Sequence, residues 1–121
     1  MSIDDKFRGR RAEVYQQRHL SGYLEEQEGG SWQFSYLPEY DGLAVSLTMP
    51  KRTEPYRFAT FPPLFDGLLP EGLQLEALLR KHKIDRNDFF GQLMIVGEDM
   101  VGSLSVRPVK PSSEKQEDGD G

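Results

Sequence analysis

The sequence predicts an α+β domain in which a small, mostly antiparallel sheet carries helices inserted before its last strand. Three observations predict it. Positions 12 to 49 are rich in Val, Tyr, Trp, Phe and Leu and alternate with period two. Positions 61 to 96 change to helical spacing, punctuated by proline and glycine. Positions 101 to 107 then return to alternation, so the helices interrupt the strand order instead of following it. At 121 residues the chain makes one domain. A compact chain of that size hides roughly two-thirds of the surface its unfolded form exposes, enough for a real core.

Four strands are read in the first half: Ala12–Gln16, His19–Gln27, Ser31–Leu37 and Leu43–Met49. Alternation is clearest in Trp32, Phe34 and Tyr36, and in Leu43, Val45, Leu47 and Met49. Gly29-Gly30 fits a tight hairpin link, and Asp41-Gly42 precedes the fourth strand. Pro50 closes that strand, because a residue without an N–H cannot continue a ladder. Lys51–Thr60 is polar and irregular and reads as a loop.

Phe61-Pro62-Pro63 leads into a short helical turn that stops at Leu69-Pro70, since proline disfavours helix at the residue before it. After Gly72, Leu75, Leu78 and Leu79 are followed by Arg80, Lys81, His82 and Lys83. This is a helix whose terminal cations complement its dipole. For the next helix Asp85 is placed to cap, Asp88 falls at the third position, and Ile84 can reach Phe89 as a hydrophobic staple. That helix runs to about Val96, with Gly97 as its C-terminal cap. The strand Val101–Arg107 closes the domain.

The two ends are different in kind. Residues 1–10 read as a flexible arm, although Phe7 can dock, and residues 108–121, PVKPSSEKQEDGDG, read as a disordered acidic tail. Val109 is the tail's only hydrophobic residue, too little apolar area to offset the entropy of ordering. The folded domain is then 11–107.

Composition excludes several kinds of chemistry. The absence of cysteine rules out disulfides, thiolate nucleophiles and zinc ribbons, and it suits a reducing cytoplasm. A formal net charge of -5 makes the chain as a whole a poor match for nucleic acid or an anionic membrane. No apolar run is long enough to span a bilayer, and MSIDDKFRGRR is not followed by a signal-peptide core. The sequence contains no phosphate loop, no G-x-G-x-x-G between strand and helix, no H-E-x-x-H and no G-x-S-x-G. No cofactor or metal set is in view, and the chain reads as a non-enzyme. Asp66, Glu71 and the Glu98-Asp99 pair can be imagined as an acid and a base, but turn and capping carboxylates on a solvated face account for them. His82 reads as a dipole-complementing surface residue, His19 as a strand start, and Trp32 as a sheet residue burying one face.

One segment resists a purely structural account. Phe61 to Gly72 gathers large apolar side chains into a short, proline-bracketed stretch that no single helical face can hide. They either plug the open end of the sheet or serve as anchors for a partner, and both readings stand.

Two runs carry a resemblance. Phe65-Asp66-Gly67-Leu68-Leu69-Pro70-Glu71-Gly72 and Gly97-Glu98-Asp99-Met100-Val101-Gly102-Ser103-Leu104, in that order and spacing, resemble the N-terminal subdomain of the HipA family of serine/threonine kinase toxins over about Val14 to Val106. The kinase body, with its phosphate loop, catalytic aspartate and metal ligands, has no counterpart here. A stand-alone copy of this module resembles the HipS-like antitoxins of tripartite HipB–HipS–HipT systems. That resemblance implies an antitoxin that inhibits a separately encoded HipT-like kinase by docking on its N-lobe side, in a ternary complex whose HipB-like member binds the DNA. The alternative is an activating or scaffolding subunit that completes a split kinase. On this reading the partner-binding residues are Phe61, Leu64, Phe65, Asp66, Leu68 and Glu71.

Overall fold

The computed structural model describes residues 9–97 and 104–109. Its strands are β1 (Arg11–Gln16), β2 (His19–Glu26), β3 (Trp32–Tyr36), β4 (Tyr56–Phe58) and β5 (Leu104–Pro108). Its helices, α1 (Pro63–Asp66), α2 (Gly72–His82) and α3 (Phe89–Val96), all lie in the chain between β4 and β5. The sheet has the order β4-β3-β2-β1-β5, and every neighbouring pair is antiparallel. This is the α+β architecture that the alternation and its interruption predict.

Alternation sorts the sheet into two faces. Ala12 and Val14 from β1, Leu24 from β2, Trp32, Phe34 and Tyr36 from β3, and Val106 from β5 are buried on one face. Phe61, Phe65 of α1, and Phe90 and Leu93 of α3 complete that core. Trp32 stacks on Phe90 at 5.8 Å and meets Phe61 edge-on at 4.9 Å, so one indole joins the sheet to two covering segments. The other face is polar and aromatic. There Arg11 lies over Tyr23, Arg107 over Tyr15, and Gln33 donates to Glu25.

The β2–β3 hairpin turns through Gly29 and Gly30, whose φ of 88° and 86° are open to glycine and strained for other residues. Within β2 the register slips. Val14 pairs with Gly22 but Tyr15 pairs with Leu20, leaving Ser21 as the extra residue of a bulge. Its hydroxyl donates to the Val14 carbonyl and its own carbonyl accepts from the Leu37 N–H, so both oxygens of the bulge residue are hydrogen-bonded.

Three expectations are corrected. Leu43–Met49 is not a strand but a chain of turns with one isolated bridge, Ser46 to Met49. The Tyr36 hydroxyl accepts from the Val45 N–H at 3.0 Å and donates to the Met49 carbonyl, which takes the backbone groups a ladder would need. Val45 and Met49 therefore turn inward while Leu43 and Leu47 are 61% and 101% exposed, which splits an apparently one-faced pattern. Second, Lys51–Thr60 is not all loop, because Tyr56–Phe58 forms edge strand β4 against β3. Three residues are too few to show a period. Third, Asp88, not Asp85, caps α3. Its carboxylate accepts from the Gly91 N–H at 3.0 Å, whereas Asp85 closes a turn onto the Asn87 N–H. Gln92, buried behind them, donates to the carbonyls of Asp85 and Arg86 and so fixes that turn to α3.

Positions 1–8, which include most of the expected arm with Phe7 and Arg8, lie outside the described residues, as do Glu98-Asp99, Val101 to Ser103 and positions 110–121. Arg10 lies within them and is held. It pairs with Glu26 and with Asp88, both at 3.0 Å, and sits 4.8 Å above the Phe90 ring. Burial opposes its charge, yet the two carboxylates outweigh that and raise its pKa above the ordinary value.

Candidate functional site

The Phe61–Gly72 segment divides between the two readings open to it. Phe61 is 7% exposed and packs against Trp32 and Phe89, and Phe65 has no exposed surface and lies 6.2 Å from Phe34. These two rings plug the core, so neither side chain offers surface to a partner. Leu64 and Leu68 are half-buried against the same core. Asp66 and Glu71 stand in solvent, and among the described residues neither has an ion-pair partner. Glu71 is the N-cap residue of α2, but its carboxylate makes no capping bond and stays available.

The local sequence explains this division. Pro62 and Pro63 start α1 with their φ already fixed, and the Phe65 and Asp66 N–H groups both bond the Pro62 carbonyl. That tight turn aims Phe65 inward. Leu68 and Leu69 continue through bonds to the carbonyls of Phe65 and Asp66 until Pro70 ends the run. Gly72, with a φ of 60°, then redirects the chain into α2.

Helix α2 has a feature that periodicity could not reveal. It spans 11 residues, yet none of them is buried. Leu73 is 87% exposed, and Leu75, Leu78 and Leu79 are only half-covered and stand outside the set of side chains packed on the core. A helix this short is marginal by itself and ordinarily depends on tertiary packing of its apolar side. The spacing of Leu75, Leu78 and Leu79 marks a helix; how far its leucines are exposed depends on where that helix is carried.

Between α2 and the start of α3 lies a groove of about 280 Å³. Leu69, Pro70, Leu75 and Phe89 give it an apolar lining, and Asp66 and Glu71 stand at the rim. Arg86 also borders it but is engaged by Glu76 at 2.7 Å, which leaves the two carboxylates as the groove's uncompensated charge. This face can take up an apolar or cationic partner segment. Among the described residues no cluster of acidic and histidine side chains is arranged to hold a metal ion, and no helix is long and apolar enough to cross a membrane.

An antiparallel five-stranded sheet whose helices precede its closing strand is shared with the N-terminal domain of HipA toxin. The chain belongs to the HipA N-terminal domain family, whose model matches residues 12–107. Among solved structures it resembles the N-terminal domain of HipA toxin, with a TM-score of 0.65, 31% identity, and coverage of 84% of this chain and 93% of that one. An uncharacterized protein of Haemophilus influenzae is 33% identical over 101 residues, spanning 84% of this chain and 94% of its own length. A putative kinase of Sinorhizobium fredii, Y4mE, is 28% identical over 99 residues. That match covers 78% of this chain but only 24% of the kinase.

Proposed function

We propose that the chain is a non-enzymatic, cytoplasmic antitoxin that binds and inhibits a separately encoded HipT-like serine/threonine kinase from its N-lobe side. The observation that carries this reading is α2, a leucine-bearing helix with no buried residue, next to a groove rimmed by Asp66 and Glu71. The contact surface is Leu73, Leu75 and Phe89 with Leu68 at its margin, and the two carboxylates orient it against kinase cations. Phe61, Phe65 and Leu64 act from beneath, by holding the turn that presents these groups. The relatives support the division of labour. One is described as a putative kinase, of which this module matches about a quarter, and another consists almost wholly of the module. A HipB-like protein supplies DNA contact in the ternary complex, and this acidic chain makes none.

Co-expression with the candidate kinase tests the proposal, with growth, co-purification and phosphotransfer as readouts. Rescue of growth with loss of phosphotransfer supports inhibition. Binding with increased phosphotransfer makes the chain an activating or scaffolding subunit instead, and absence of binding refutes both. Leu73→Glu, on a side chain that contributes nothing to the core, is expected to weaken co-purification at least about tenfold while leaving the melting temperature unchanged.

A further inference from the structure

A second cavity, outside the α2 face, lies where β3 runs into the following loop. It has a volume of about 250 Å³. Tyr36, Leu37, Pro38 and Tyr40 form its apolar wall, and Lys51, Arg52 and Thr53 the polar one. The tyrosine rings stack at 6.1 Å with planes 7° apart, a rigid aromatic pair. Their hydroxyls are occupied by the Met49 and Leu43 carbonyls, so the rings present carbon to the cavity and not free donors.

The cationic wall is organised in advance. Arg52 donates through Nε to the Glu54 carbonyl at 3.1 Å and through Nη2 to the Pro55 carbonyl at 3.0 Å, while its guanidinium lies 3.6 Å above the Tyr56 ring. Those bonds fix the group and leave the Nη1 donors uncommitted. Lys51 sits 5.6 Å from the Tyr40 ring centre. Among the described residues neither cation is in an ion pair, and no carboxylate lines the cavity. The cavity thus carries two cations and no anion of its own in a chain of net charge -5.

We propose that this cavity binds a small aromatic anion, a single ring bearing a phosphate or carboxylate. The ring packs against Leu37, Pro38 and the carbon edges of the tyrosine pair. The anion receives charge-assisted hydrogen bonds from Lys51 and Arg52, with the Thr53 hydroxyl as a third donor. Size sets the class. The cavity falls below the range of about 300–1,000 Å³ typical of drug-sized ligands and so suits one ring with one anionic group.

The test is an NMR titration of the full chain with phenyl phosphate, against inorganic phosphate and phenol as controls for charge alone and ring alone. The expected result is a saturable shift at the Leu37, Tyr40, Arg52 and Thr53 amides, with phenyl phosphate binding at least about fivefold tighter than either control. Lys51→Glu, at an exposed position, is expected to weaken it at least about tenfold with the remaining amide spectrum unchanged. A lack of saturation by about 10 mM refutes the site. So does equal binding of inorganic phosphate, which marks an adventitious ion only, or an unaltered affinity in Lys51→Glu. The kinase is absent from every arm, so the result stands or falls apart from the proposed antitoxin role.

Discussion

Phe65→Ala separates core from contact surface within the Phe61–Gly72 segment. The ring has zero exposure, lies near Phe34, and is the buried residue of α1. Truncating a fully buried phenylalanine costs about 3–5 kcal/mol through lost transfer energy and the cavity left behind. In a domain of this size each kcal/mol moves the melting temperature by about 4–8 °C, so a fall of roughly 12–40 °C is expected. Total stability is on the order of 5–15 kcal/mol, and the variant can lose its fold at the lower end. Phe65→Leu, which keeps most of the volume, is therefore measured beside it by urea and thermal unfolding, with an expected loss of about 1–1.5 kcal/mol. Exposed neighbours give the contrast. Asp66→Asn, Glu71→Gln and Leu73→Ala are expected to stay within about 0.5 kcal/mol of the parent. A loss below about 1 kcal/mol for Phe65→Ala would refute the assignment of this ring to the core and return it to the contact surface.

Other outcomes follow from the same geometry. Tyr36→Phe strips a buried hydroxyl that serves both the Val45 N–H and the Met49 carbonyl, so a loss of about 1–3 kcal/mol is expected, with faster amide exchange at Val45 as the specific sign. Burial raises the Tyr36 pKa above its ordinary value of 10.0, the Val45 N–H opposing in part. The folded state thus holds this proton more tightly than the unfolded one. Its contribution is complete below pH 10 and is lost as pH rises through the folded pKa, so melting temperature is expected to fall more steeply above pH 10 in the parent than in Tyr36→Phe. Asp88→Ala removes both the α3 cap and an Arg10 ion pair, and urea unfolding should show a loss of about 1–2 kcal/mol. Asp88→Asn keeps a capping oxygen and should retain most of that stability, and equal losses in the two variants would assign the effect to the ion pair alone. Gly97→Ala places a methyl 2.7 Å from the Val106 carbonyl oxygen, so destabilisation by about 1–3 kcal/mol is expected in thermal melts.

Much of this protein is legible in its sequence because the signals are local. Period-two alternation in Trp32, Phe34 and Tyr36 is a property of one strand against one core face, and it holds whatever the neighbours are. The Gly29-Gly30 hairpin and the proline-bounded α1 follow from backbone dihedrals that glycine alone tolerates and proline fixes. Motif order was likewise sufficient to give the family. Tertiary structure decided what depends on distant partners. Leu43, Val45, Leu47 and Met49 carry a strand's alternation, but the hydroxyl of Tyr36 holds the Val45 N–H and the Met49 carbonyl, and Leu43 and Leu47 face outward. A bulge at Ser21 cannot be read from β2, because it exists only against β1. The same holds for the candidate contact face. Phe65 and Leu73 are both large, apolar and near the same proline, and only their positions relative to the sheet make one the centre of the core and the other an 87% exposed side chain. Burial is a relation between segments far apart in the chain, so sequence names the groups able to bind and the fold selects which of them reach the surface.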